Sequence, residues 1–220
     1  MYQSHKITVQ KTAHYYTLGE PNAGTRRFWI ICHGYGQLAS RFIQQFQLFD
    51  LKENFILAPE GFHRFYWKGF TGDVVASWMT KLDRLDDIAD YTSFLQQLYA
   101  EYIALLPPDV EIILFGFSQG CATQCRWINA CRPHFQRLIL WGGVIPEDID
   151  YKPLLPYLAN KEIIFAYGDK DPFLNIENRI ARHIALAKEK GLRMKTWQYE
   201  GKHETRKKVL LDFATTVLRN

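Results

Sequence analysis

Cysteine is scarce in this 220-residue chain, which has only Cys32, Cys121, Cys125 and Cys131. Cys121 and Cys125 stand one helical turn apart, but no further Cys or His pair completes a zinc-ligand spacing, and small apolar packing is their expected role. No apolar run approaches the length that a membrane-spanning helix needs. Met1-Tyr2-Gln3-Ser4-His5-Lys6 has no resemblance to a secretory signal, so the expectation is a reduced, cytoplasmic protein with no stable membrane insertion. Basic charge is not concentrated either. The formal net charge is +4, and the one basic run, from Lys202 to Lys208, is interrupted by His203 and Glu204, which argues against a nucleic-acid partner. Repeats, low-complexity tracts and linkers are all missing, and a single domain over residues 1–220 is expected.

What the chain has in quantity is apolar and aromatic residues, 47% and 15% of the total. Several short apolar runs read as buried strands, 27–32, 110–114, 137–143 and 161–168, with further strands at 54–61 and 193–199. Amphipathic helical patterns fall between them. One follows Ser40, which is placed to cap it, with Phe42, Ile43, Phe46 and Phe49 on one face. A long one begins near Asp83, where Thr80 and Asp83 could form a capping box. Others cover Cys121–Ile128, Ile176–Lys190 and Glu204–Leu218. Residues 5–18 alternate in two runs, which suggests an antiparallel hairpin at a sheet edge. The alternation of strand and helix predicts an α/β fold: a mainly parallel central sheet with helices on both faces. Between 62 and 78 lies a loop dense in rings, including Phe65, Trp67 and Phe70, too long and too aromatic to be idle.

Chemistry is announced by Phe115-Gly116-Phe117-Ser118-Gln119-Gly120. A Gly-x-Ser-x-Gly between a strand and a helix is a nucleophile elbow, in which a sharp turn lifts the serine hydroxyl above the sheet. Gly116 and Gly120 are required because a Cβ at either position would strike the neighbouring strand or helix. Serine needs a base, and the base needs an orienting carboxylate, both beyond the carboxyl ends of strands. His203 follows the last strand, and Asp169 and Asp171 both follow the strand before it; the residues alone do not separate the two aspartates. The order Ser118, aspartate, His203 is that of an α/β-hydrolase. Oxyanion donors are expected at the backbone N–H of Gln119 and in His33-Gly34-Tyr35-Gly36, with Tyr35 the better placed. His33 itself is expected to bond within its own loop. His63 reads as an exposed loop histidine, His183 as solvated on a charged helix, and Asp86-Asp87-Asp90 as acids favoured at a helix start that need no metal.

Gly-Phe-Ser-Gln-Gly, an early His-Gly-x-Gly and Gly168-Asp169-Lys170-Asp171-Pro172 together resemble the phospholipase/carboxylesterase family of small α/β-hydrolases, which includes acyl-protein thioesterases. The resemblance runs from about Phe28 to the C-terminus. It implies the α/β-hydrolase fold without a large lid, selects Asp171 as the triad aspartate, and requires no cofactor. It also implies a small or lipid-like acyl ester as the partner. Pro172-Phe173-Leu174-Asn175 departs from the Val-Pro that familiar members carry shortly after Asp-Pro, and the block Arg64–Phe70 does not match the familiar thioesterases. The resemblance therefore implies the triad and leaves the substrate open, with Trp67, Phe70 and Phe173 as candidate substrate contacts. The expected activity is ester or thioester hydrolysis through an acyl-enzyme. The alternatives are a peptidase or amide hydrolase on the same triad, or a non-catalytic ligand-binding protein.

Overall fold

The computed structural model describes residues 1–218, and of Glu177 the backbone only; residues 219–220 of the expected domain lie outside them. Chain order begins with β1 (Tyr15–Leu18), β2 (Arg27–Cys32), a short α1 (Ala39–Phe42), β3 (Asn54–Pro59), β4 (His63–Lys68) and β5 (Thr71–Ser77). Then come α2 (Arg84–Ile103), β6 (Glu111–Phe117), α3 (Gln119–Cys131), β7 (Arg137–Trp141), a four-residue α4 (Leu155–Leu158), β8 (Glu162–Gly168), α5 (Arg179–Glu189), β9 (Met194–Tyr199) and α6 (Lys207–Val217).

The main sheet has seven strands in the order β1-β3-β2-β6-β7-β8-β9. All neighbours run parallel except β1, which pairs antiparallel with β3, Tyr15 facing Pro59. Continuous apolar runs explain why the central strands are parallel: β2, β3 and β6 are buried almost throughout, so each needs helices over both faces. One face carries α2, α3 and α5, with Trp78, Tyr91, Trp127 and Phe165 in its core. The other carries α1 and α6, packed on Trp29, Phe46, Phe115 and Trp141. Fold class and helix placement match the expectation from the sequence.

Four local expectations are corrected. Residues 6–9 form no strand and are exposed, so the edge is the single strand β1 rather than a hairpin. Lys6 instead reaches the ion pairs with Asp83 and Asp86. Residues 63–77 are a β-hairpin, β4 with β5, where a loop was expected; beyond its base both faces are exposed, so no buried alternation marks it in the sequence. Ser40 lies inside α1, whose N-cap is Leu38. No capping box forms at α2: Asp83 is left-handed at φ 52°, and the Thr80 N–H donates to Asp87 instead.

Candidate active site

The loops after β2, β6, β7, β8 and β9 meet at the carboxyl edge of the sheet. Ser118 follows β6 directly and stands at the N-cap of α3 with φ 52° and ψ −114°, a positive-φ backbone rarely adopted by a residue with a side chain. The strain is imposed from both sides. A Cβ on Gly116 would lie 2.5 Å from the Gly120 backbone, and one on Gly120 would lie 2.1 Å from the Cys32 carbonyl oxygen, so α3 can approach β2 and β6 only through glycine. The Ser118 N–H donates to Trp141 O at 2.9 Å, which ties the turn to β7.

His203 stands in the loop after β9, and both flanking carbonyls are held. Tyr199 Oη donates to Lys202 O (3.1 Å) and Trp141 Nε1 to Glu204 O (2.9 Å). Burial pushes the Tyr199 hydroxyl up to about 12, so it remains a donor at neutral pH. The imidazole rests on Phe117, the residue before Ser118, with ring centroids 4.9 Å apart. Gly142, at φ 62°, lies against that ring: a Cβ there would stand 3.3 Å from two atoms of His203, a tight contact. Sequence reading passed over Gly142 and Phe117; a glycine pair at a strand end was the visible signal.

Asp171 is fully buried and meets His203, Oδ2 to Nδ1, at 2.7 Å. Its other oxygen, Oδ1, accepts the N–H groups of Phe173 (2.8 Å) and Leu174 (3.2 Å), which fixes the carboxylate's orientation. Asp169, its rival in the sequence, accepts the Gly201 N–H at 2.8 Å and so pins the histidine loop to the loop after β8. The two aspartates are therefore separated by geometry. Ser118 Oγ makes no hydrogen bond to His203 among the described residues; such contacts commonly close only when substrate is bound.

In the loop after β2, the Gly34 N–H donates to Gln37 Oε1 and the Gly36 N–H to Ala76 O. Among the described residues, neither the Tyr35 nor the Gln119 N–H is committed to a partner outside helices and strands, the condition an oxyanion donor must meet. His33 is fully buried, with Nδ1 donating to Gly34 O (2.8 Å) and Nε2 accepting the Gly61 N–H (3.0 Å). Burial pushes its pKa down to about 4, so it is a neutral brace for this loop.

Gln119 also has a side-chain role that the sequence did not indicate. Its Oε1 accepts from Ser77 Oγ and the Trp78 N–H, and its Nε2 donates to Met79 O, so the base of the β4–β5 hairpin is fastened to the elbow. Trp67 on that hairpin lies tilted beside Tyr35, ring centroids 6.0 Å apart, and its indole occupies the space a Cβ on Gly36 would need. Phe173 meets the His203 ring at 4.7 Å. Phe70, by contrast, sits at the hairpin turn, 98% exposed and with no ring partner among the described residues. Of the three candidate substrate contacts, Trp67 and Phe173 rim the site and Phe70 does not.

Two other histidines differ from expectation. His63 is half-buried and meets Asp87 at 2.8 Å, because β4 carries it against the start of α2. His183 is buried rather than solvated, its ring against Phe165 at 4.5 Å; the charged residues elsewhere on the same helix, Arg179, Arg182, Lys188 and Glu189, hid an inward-facing position. Among the described residues no group of His, Cys, Asp and Glu is arranged to hold a metal ion, and no helix is long and apolar enough to cross a membrane.

Solved structures with the same fold include esterase PE8 (TM-score 0.66, 20% identity, covering 95% of this chain and 99% of that one). Acyl-protein thioesterase 2 of Zea mays superposes at TM-score 0.68 with 14% identity, over 94% and 98% of the two chains. The Bacillus cereus carboxylesterase gives 0.62 and 13%, over 87% of each. No curated protein sequence matches the chain. The sequence model of the phospholipase/carboxylesterase family matches residues 18–219, and with that span nearly the whole chain is accounted for: it belongs to the phospholipase/carboxylesterase family of α/β-hydrolases.

Proposed function

We propose that this carboxylesterase-type hydrolase is a serine enzyme of one catalytic domain, cleaving carboxylic esters or thioesters through an acyl-enzyme. The observation that carries the reading is the buried Asp171 carboxylate on Nδ1 of His203, with the His203 ring lying on the residue that precedes the strained Ser118. Ser118 Oγ attacks the acyl carbon while His203 Nε2 takes its proton. Asp171 fixes the tautomer that leaves Nε2 unprotonated and facing the serine. The N–H groups of Tyr35 and Gln119 receive the oxyanion, each worth about 3 kcal/mol of barrier lowering. His203 then returns the proton to the departing oxygen or sulfur, and water repeats the cycle on the acyl-enzyme. The chemistry draws on no cofactor. Four free cysteines fit a reducing, cytoplasmic setting.

Labelling with a fluorophosphonate followed by peptide mapping tests the mechanism. Ser118 takes up one equivalent in the wild type; Ser118→Ala and His203→Ala take up none and lose about 10⁴-fold or more in kcat. A folded wild-type protein that neither labels nor hydrolyses 4-nitrophenyl esters would overturn the reading in favour of a ligand-binding protein. A matched anilide substrate separates esterase from amidase.

A further inference from the structure

His203 lines a cavity of about 330 Å³, near the lower end of the roughly 300–1,000 Å³ that ligand pockets span. Gly36 and Gln37 of the loop after β2, residues of α1, the base of the β4–β5 hairpin, Glu204 and Thr205 complete its walls. Two of these residues adjoin the chemistry proposed above. His203 is the base, and Gly36 follows Tyr35, whose N–H receives the oxyanion. In that mechanism the leaving oxygen takes its proton from His203, so the group carried by that oxygen lies on the His203 side of the scissile bond. The cavity is the space that His203 borders.

The lining is polar, but each charged side chain in it already has a counter-ion. Arg41 is paired with Asp73 at 3.1 Å and Glu204 with Arg206 at 3.3 Å. Neutral groups remain open. Gln37 Oε1 accepts the Gly34 N–H at 2.8 Å, which leaves the amide nitrogen of the same side chain to donate. The Gln45 amide and the Thr205 hydroxyl belong to half-buried residues, and neither has a hydrogen-bond partner among the described residues. Phe42 and Val75, both buried, add apolar surface.

Uncommitted amides and a hydroxyl can each donate or accept, and next to apolar side chains they suit a carbon skeleton bearing several hydroxyls. An alcohol carrying phosphate or ammonium would shed water there without meeting an unpaired opposite charge, which is costly.

Resting on the serine-esterase reading above, we propose that this cavity is a leaving-group subsite for neutral polyols. The alcohol released bears vicinal hydroxyls, as a glyceryl or glycosyl group does; these bond to Gln37, Gln45 and Thr205 while His203 protonates the ester oxygen. The same subsite serves the reverse step. An alcohol attacking the acyl-enzyme gives its proton to His203, its oxygen bonds to the acyl carbon, and Ser118 Oγ departs with the proton returned from His203.

The reverse step supplies the test. With 4-nitrophenyl butyrate as acyl donor, glycerol, methyl glucoside, glycerol 3-phosphate and 1-propanol are added in turn at equal concentration, and the new ester is measured against butyrate released to water. At least one of the two neutral polyols is expected to capture the acyl group about tenfold more often than 1-propanol, the yield of one to two neutral hydrogen bonds, and glycerol 3-phosphate less often than glycerol. The better of the two polyols identifies the source of the alcohol. In Gln45→Leu and Thr205→Val the preference over 1-propanol falls towards one. Equal capture of all four alcohols, a preference for glycerol 3-phosphate, or a polyol preference that survives both substitutions would overturn the subsite, while continued release of 4-nitrophenolate leaves the esterase standing. If no nitrophenolate is released and Ser118 does not label, the esterase reading falls and the subsite with it.

Discussion

Two histidines, His33 and His183, are held neutral in the interior, each with its pKa pushed down by burial to about 4 from an ordinary 6.5. Between those values the unfolded chain binds protons that the native protein refuses. Their stabilisation is therefore complete above about pH 6.5 and is lost as pH falls towards 4, at about 1.4 kcal/mol per pH unit for each histidine. Urea unfolding of wild type and His183→Phe at pH 7.5, 6.0 and 5.0 should show a shallower acid loss in the variant, by up to that amount per unit. Parallel pH curves for the two proteins would contradict the neutral, buried state assigned to His183. At this scale the sequence was informative where chemistry demands a residue type at a strand end. Ser118 and His203 were singled out that way. Asp171 and Asp169 were not separable from the residues alone, because both follow β8 within three residues; the family resemblance pointed to Asp171, and the fold sets Asp171 against His203 and Asp169 against Gly201.

The β4–β5 hairpin owes its position to a few polar contacts at its base. Beyond Val75 its residues are largely exposed, and the hairpin is joined to the body by Gln119, by the bridge between Gln37 and Ala76, and by the pairing of Arg64 with the buried Glu60. Each neutral bond of this kind is worth about 1 kcal/mol, so replacing Gln119 by Leu removes about 2–3 kcal/mol of anchorage while keeping the backbone N–H. Hydrogen exchange at the Trp78 amide, which Gln119 accepts, is expected to quicken by about ten- to a hundredfold, and proteolysis near Gly69 to rise with it. Unchanged exchange at Trp78 would mean that the hairpin is held from elsewhere. Its strand character was hidden in the sequence because pairing on a two-sided exposed ribbon leaves no apolar alternation to read. The long helix α2 was legible through the helical spacing of Thr92, Leu95 and Tyr99, which it buries, and its start near Asp83 was legible too; the expected capping box was not formed, since Asp83 is left-handed.

For the molecule as a whole, the sheet was the most legible feature, because strands covered on both faces must be written in continuous apolar runs. Its first edge was the least legible. Residues 6–9 alternate like a strand, yet residues 1–12 are exposed throughout, tied down by Lys6 to Asp83 and Asp86 and by Lys11 to Phe62 O. Exposed pairs of this sort contribute from nothing to about 1 kcal/mol. Deleting residues 2–12 is therefore expected to leave the urea midpoint nearly unchanged and ester turnover within about twofold of wild type. A large drop in either would show that the segment bears on the sheet or the site.

Ser118, Asp171 and His203 hang on the ends of β6, β8 and β9, and β7 is the strand that joins the first to the other two. A slip of one residue between β7 and β8 would move Asp171 by about 3.3 Å and turn alternate side chains to the wrong face, while leaving the content of strand and helix intact. Circular dichroism would not register such an error, but on the serine mechanism proposed above Ser118 would be silent. Titration of reactive serine thus counts the molecules whose strands are in true alignment, and in any refolded or engineered sample it is a stricter census of native protein than spectroscopy.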